Sequence, residues 1–246
     1  MKLGKKVYLT CDAFFVNTIP IFITLSRKID FTTTAHLKYR NIKTIFLEFL
    51  AVYKFYLRRG FRIKMVHADN EFGPMKPLID NLKKGPTINL AAANEHVPEI
   101  ERRIQLIKER IRSVRSSLPF NKVPSVMIIY LVLSVSKLLT YFITKGGISK
   151  TMSPRAIMCG ECLDQEKQLC LQFGEYFQVY EEELPRNRNK PRTLGAVCLG
   201  PTQNEQGGFN FMSLTTGAAV TRYGWDPIPM PSSVIARVNR IGKDQP

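Results

Sequence analysis

The chain reads as an α/β protein on a mixed sheet, followed by a small all-β module. Three observations predict this. Alternating apolar runs open the chain, stretches with apolar residues at helical spacing interrupt them, and past residue 160 β-type runs alternate with turn clusters. At 246 residues there is room for one large or two modest domains. The composition shift divides the chain into 1–160 and 161–246.

Val7–Phe15 alternates and predicts the first strand, with Asp12 on the same face as Tyr8 and Thr10. Ile19–Leu25 and Ile29–Thr34 predict two more. The short links Val16-Asn17-Thr18 and Ser26-Arg27-Lys28 predict an antiparallel meander. His36 to Arg59 carries Ile42, Ile45, Phe49, Val52, Tyr53 and Tyr56 at helical spacing, and Gly60 stops it. Phe61–Val66 is a fourth strand running into His67-Ala68-Asp69-Asn70. Met75–Lys84 predicts a short helix, Gly85-Pro86 a turn and Thr87–Leu90 a short strand. Helices over Asn94–Arg115 and Val123–Ile143 follow. In the second part EYFQVYEE, TLGAVCLGPT, GGFNFMSLTTG and AAVTRYGW predict four or five short strands of a small barrel or sandwich, closed by a helix over Ser232–Ile241.

Charge narrows the function classes. With 36 Lys+Arg against 20 Asp+Glu the formal charge is +16, and with 44% hydrophobic residues this is a folded basic protein, not a disordered tail. Such a chain most often meets nucleic acid, with an anionic membrane as the next reading. The apolar Val123–Ile143 stretch carries only Lys137, but Pro124 and several hydroxyl residues dilute it, so a buried helix is expected and no membrane span. The five cysteines have no framework spacing, which points to a reducing compartment. Cys159-Gly-Glu-Cys162 is a lone CxxC without the second pair a closed zinc site needs. The apolar run after Met1–Lys6 is broken by Asp12, so no signal peptide and no secretion are expected.

The Asn94–Arg115 helix is the most informative stretch. Ile100, Ile104, Ile107, Ile111 and Val114 make a stripe that must be buried. One residue along, Glu101, Gln105, Lys108, Arg112 and Arg115 make a second stripe about 100° away. One carboxylate thus heads a ladder of donors and cations beside a buried face. Asp12 in strand one and Asp69 after strand four lie next to apolar runs. If those strands neighbour one another, three carboxylates converge at one sheet edge. Clustered carboxylates repel, and a divalent cation neutralises them. A pair of such ions activates a nucleophile and stabilises a leaving oxygen. The blander readings are that Asp69 caps the helix after it, Asp12 is an edge-strand polar residue and Glu101 is a solvated helix acid.

At these residues the chain resembles the integrase catalytic core of Copia-type long-terminal-repeat retrotransposons, within the retroviral integrase superfamily. The matching stretches are VYLTCDAFFVN, PIFITLSRKIDFTT, FRIKMVHADNEF and NEHVPEIERRIQLIKERIRS, with GGISKTMSPRAIMCG downstream. FGEYFQVYEE, RTLGAVCLGP and GGFNFMSLTTG resemble the region that follows the core in these polyproteins. The resemblance covers nearly the whole chain, and the order of the motifs is more specific than any one of them. It implies a ribonuclease-H-like fold, a mixed five-stranded sheet with flanking helices, followed by an SH3-like barrel. It also implies a D,D,E triad of Asp12, Asp69 and Glu101 holding two Mg²⁺ or Mn²⁺ ions, and Lys108 as a DNA contact on the same helix face as Glu101. Glu95 and Glu99 are rival glutamates; Glu101 is favoured because only it has both the polar stripe and that lysine.

The departures are as informative. Asp69 and Glu101 are separated by 31 residues, fewer than usual in the family. The glycines that commonly follow the second aspartate are missing from DNEF, and Trp225 is the only tryptophan. No zinc-binding His/Cys module precedes the first strand, so no structural zinc is expected in this stretch. The expected function is metal-dependent 3′-end processing and strand transfer into double-stranded DNA by a nuclear protein with a cytoplasmic stage, a homo-oligomer when active. Arg112 and Arg115, with Arg186, Arg188, Lys190 and Arg192 of the loop RNRNKPR, are expected to contact phosphate. The rivals are a binding-only remnant of such an element, a nuclease on the same fold and, more distantly, a membrane protein.

Overall fold

A two-residue turn opens the architecture. Strands β1 (Lys6–Val16) and β2 (Ile19–Ser26) pair antiparallel from Val16↔Ile19 to Leu9↔Ser26. Asn17 and Thr18 between them both have positive φ, 47° and 71°, as a tight right-twisted hairpin requires. The computed structural model describes residues 6–82, 85–91, 97–181, 191–202 and 206–245. Strand β3 (Thr32–His36) pairs antiparallel with β2. Ile29–Phe31 lies in the turn rather than in the third strand, because Lys28 and Asp30 both adopt positive φ and the chain reverses there.

Helix α1 (Ile42–Arg58) starts six residues later than the apolar spacing suggested. The Asn41 side chain accepts the Thr44 N–H at 2.8 Å and sets the start. Strand β4 (Arg62–Ala68) returns parallel to β1, and β5 (Thr87–Leu90) is parallel to β4. Between them lie a 3-10 turn (Asn70–Met75) and the short helix α2 (Lys76–Asp80). Pro74 and Pro77 keep this segment from running on as one helix. The sheet order is β3-β2-β1-β4-β5. It is a mixed five-stranded sheet with flanking helices, as a ribonuclease-H-like core requires.

One face of this sheet buries Val7, Leu9, Cys11, Ile63, Val66 and Ala68 against Ile45, Phe49, Tyr53 and Tyr56 of α1. The other face buries Ile21, Ile23 and Leu25 of β2. Helix α3 (Pro98–Ser117) is tied to it: Glu99 pairs with Arg27 at 2.7 Å, Arg103 pairs with Asp30, and the Lys108 ammonium lies over the Phe14 ring, 5.6 Å from its centre. Ile100, Ile104, Ile107 and Ile111 are buried, while Gln105, Arg112 and Arg115 are exposed. Val114 of the apolar stripe and Glu101 and Lys108 of the polar one are half-buried, so the two predicted stripes separate only in part.

The chain forms two compact units: Met1–Glu109 with Val135–Cys162, and Arg110–Ser134 with Leu163–Pro246. Helices α3 and α4 (Ser125–Leu139) are each divided between them. The first unit also holds α5 (Pro154–Cys159), a short helix missed in the sequence, capped by Ser153 and ended by Gly160 at φ 72°. Among the described residues no helix is long and apolar enough to cross a membrane.

The second unit carries α6 (Gln165–Gln168) and an antiparallel sheet ordered β10-β6-β7-β8-β9. Its strands are β6 (Tyr176–Tyr180), β7 (Thr193–Pro201), β8 (Phe209–Ser213), β9 (Ala219–Arg222) and β10 (Trp225–Pro227). Strands β9 and β10 are each paired on one side among the described residues, so the ladder reads as a sheet with two edges where a barrel was expected. Phe177, Phe209 and Phe211 fill the core with Trp225, whose ring centre is 5.2 Å from that of Phe209. Helix α7 (Ser232–Asp244) buries Val234, Val238 and Ile241.

Candidate active site

The parallel register of β1 and β4 builds the site. Leu9 lies beside Val66 and Thr10 beside His67; continuing the register two residues sets Asp69, just past the end of β4, opposite Asp12 within β1. The half-buried Asp12 carboxylate accepts the Ala13 N–H at 2.6 Å. Its proton affinity is nevertheless raised, to a pKa of about 6. Burial is the largest cause, the Ala13 hydrogen bond opposes it, and the negative charges of Asp69, Glu71 and Glu101 raise it further. Three carboxylates from two other segments are thus felt at Asp12.

Asp69 stands at the head of the Asn70–Met75 turn, but its side chain makes no capping hydrogen bond there. Capping therefore does not explain it. Glu101 sits half-buried in the first turn of α3. Its rival Glu99 is engaged by Arg27 and is not among the charges felt at Asp12. Glu95 lies outside the described residues.

Sequence reasoning missed three groups at this edge. Glu71 is held by Arg40, whose guanidinium also lies over the Phe15 ring, 5.1 Å from its centre. Phe14, two residues beyond Asp12 on the same face, carries the Lys108 ammonium. Glu71 had a signal in its position two residues after Asp69. Arg40, in the loop before α1, had none. Cys11 alternates to the opposite face, where burial and then the Asp12 charge push its thiol far up, so it is inert as a nucleophile.

The donors are all carboxylates, the ligand chemistry of Mg²⁺ or Mn²⁺. The raised affinity of Asp12 marks negative charge that a cation would neutralise. The donor chemistry of Asp12, Asp69 and Glu101 suits a divalent metal; their spacing does not. Among the described residues, no three His, Cys, Asp or Glu side chains stand close enough together to hold a metal ion between them. The acids converge to electrostatic range without forming a closed cage.

The cations are spread more widely. Lys108 is half-buried, and Arg112 and Arg115 continue the exposed face of α3. Arg192 is exposed just before β7, while Arg186, Arg188 and Lys190 lie outside the described residues. A separate cavity of about 850 Å³ in the second unit is lined by Phe173, Tyr176, Trp225, Pro227 and Ile235. Glu175, the one carboxylate in its lining, accepts the Gln172 N–H at 3.0 Å.

No protein-family model and no curated protein sequence matches the chain. Among solved structures, one that it resembles is the crystal structure of the catalytic core domain of BIV integrase. That match has 13% identity and a TM-score of 0.42 over 62% of this chain and 93% of that one.

Proposed function

We propose that the chain is the catalytic core and following β module of a Copia-type integrase, a metal-dependent polynucleotidyl transferase acting on double-stranded DNA. The observation that carries this is the β1–β4 register, which sets Asp69 opposite Asp12 on the sheet face to which α3, bearing Glu101, is tied, with the charges of Asp69, Glu71 and Glu101 felt at the half-buried Asp12. Asp12, Asp69 and Glu101 hold the metal ions, and Glu71 is kept aside by Arg40. Bound Mg²⁺ or Mn²⁺ supplies activation of a water or a 3′-hydroxyl and stabilises the leaving oxygen. Lys108, propped on Phe14, contacts the DNA backbone next to the carboxylates, and Arg112 and Arg115 extend the contact along α3. The second sheet serves as the SH3-like module, with Arg186, Arg188, Lys190 and Arg192 on phosphate. The protein works in the nucleus, as a homo-oligomer when active.

The test is joining of a labelled 3′-end to target DNA with Mn²⁺ and Mg²⁺. Wild type joins; Glu101→Gln keeps the shape, loses one metal-facing charge and fails to join while still binding DNA. Joining by Glu101→Gln removes Glu101 from the triad. A second reading is a DNA-binding remnant without chemistry, favoured by the spacing of the acids beyond a preformed three-ligand cage. It prevails if wild type binds DNA and never joins or nicks it.

A further inference from the structure

The first sheet is covered unequally on the face that bears Asp12. Where α3 is tied to it, Ile21, Ile23 and Leu25 are buried. On the same face of β1, β4 and β5 the register gives three rows: Lys6 beside Arg62, then Tyr8 beside Met65 and Thr87, then Thr10 beside His67 and Asn89. Lys6, Arg62, Thr87 and Asn89 are exposed and Tyr8 is 37% exposed, while Met65 and His67 are half-buried and Thr10 is fully buried. At the bulge after Val7, Lys64 is exposed as well, its carbonyl accepting the Thr87 hydroxyl at 3.3 Å. The opposite face of the same strands is core, with Leu9 and Val66 at 0%.

We infer that this open flank binds single-stranded nucleic acid. Its first row and the bulge present three cations, and the acid felt in its rows is Glu99, which acts on His67 and is itself paired with Arg27. That matches a chain of phosphates. The exposed Tyr8 ring offers one base a stacking surface among those cations. The Asn89 amide, 3.4 Å from the His67 ring nitrogen, offers donors and acceptors to base edges. The patch is three strands wide, about 10 Å between the outer two. That width suits one strand of nucleotides lying flat better than a duplex. From Lys6 to Asp12 is about 20 Å along β1, but the buried Thr10 lies between them, so the exposed path runs from the cations across to Thr87 and Asn89 on β5. The binding stands independently of the proposed chemistry.

The test uses the full chain, fluorescence anisotropy, a labelled 20-nucleotide oligothymidylate and a duplex of the same length. Tyr8→Ala weakens single-strand binding by about 5–100-fold, the range for one lost base stack, and leaves duplex binding within about twofold. Tyr8→Phe keeps the ring and retains binding. Lys6→Ser with Arg62→Ser and Lys64→Ser lowers the single-strand salt slope by about 2. Ultraviolet crosslinking of a bromodeoxyuridine strand to wild type places the adduct on β1 or β4, so a poorly folded variant cannot hide the answer. Equal losses on both nucleic acids, unchanged single-strand binding or an adduct elsewhere each overturn the inference. So does a dimer that these substitutions dissociate, since the flank would then be an interface between copies. If Tyr8-dependent binding holds while no preparation joins ends, this inference survives and the proposed chemistry fails.

Discussion

The Asp12 carboxyl sits between one N–H that favours its charge and three carboxylates that oppose it, in a half-buried position within β1. Its folded pKa of about 6 lies above the ordinary aspartate value of 3.8. The sign follows by linkage: above about pH 6 the folded state carries a charge it disfavours, and the penalty fades as pH falls toward 3.8. Asp12→Asn removes that penalty. We expect its thermal midpoint at pH 7.5 to exceed that of wild type by about 2–4 °C, taking about 1 kcal/mol once partial exposure is discounted. Near pH 4 the two proteins should melt together. Mn²⁺ should raise the wild-type midpoint at pH 7.5 and leave Asp12→Asn nearly unmoved. A variant less stable than wild type at pH 7.5 would show that the Ala13 hydrogen bond outweighs the repulsion.

Two elements carry the next predictions. On α3, Lys108→Ala should weaken DNA binding at all sequences and reduce the salt slope by about one contact. A slope equal to wild type would leave Lys108 with only its packing on Phe14. On β7, the bulge at Gly200 has φ 108°, and a Cβ there would meet the Ser134 hydroxyl at 2.7 Å. Gly200→Ala should cost about 1–3 kcal/mol, read from urea unfolding. Adding Ser134→Ala should recover the steric part and leave the backbone strain. The same elements show what a sequence can carry. The buried side of α3 was legible because burial follows helical spacing, and the places of Asp12 within β1 and Asp69 after β4 because polar residues beside apolar runs are local patterns. Arg40 and Glu71 were not legible as a pair, since their ion pair spans 31 positions. The start of α1 was misjudged because apolar spacing is blind to the Asn41 cap. The strands of the second sheet were legible from their spacing, which does not say whether the outer two close into a barrel.

At the scale of the whole chain, the units do not follow sequence order. Residues 110–134 belong with the second unit although they lie between two parts of the first. They bring apolar groups with them: Phe120, Val123, Met127, Ile128, Leu131 and Val132 are all buried. They are also anchored there, with the Lys122 N–H donating to Asn239, Ser125 to Gln245 and Ser134 to the Leu199 carbonyl. A fragment cut after Cys162 therefore retains this apolar stretch but loses the segment that covers it. Burial of such side chains is worth about 1.5–3 kcal/mol each, so several stripped at once exceed the stability of an ordinary domain. We expect residues 1–162 alone to bind a hydrophobic dye strongly, to self-associate and to melt without a sharp transition, while the full chain melts cooperatively. Replacing Met127, Leu131 and Val132 with Ser in the fragment should restore solubility, because those side chains would have no core to leave. A monomeric 1–162 fragment with a cooperative melt and no dye binding would mean that residues 110–134 need no cover from the second unit, and the division by contacts would not be a division in folding.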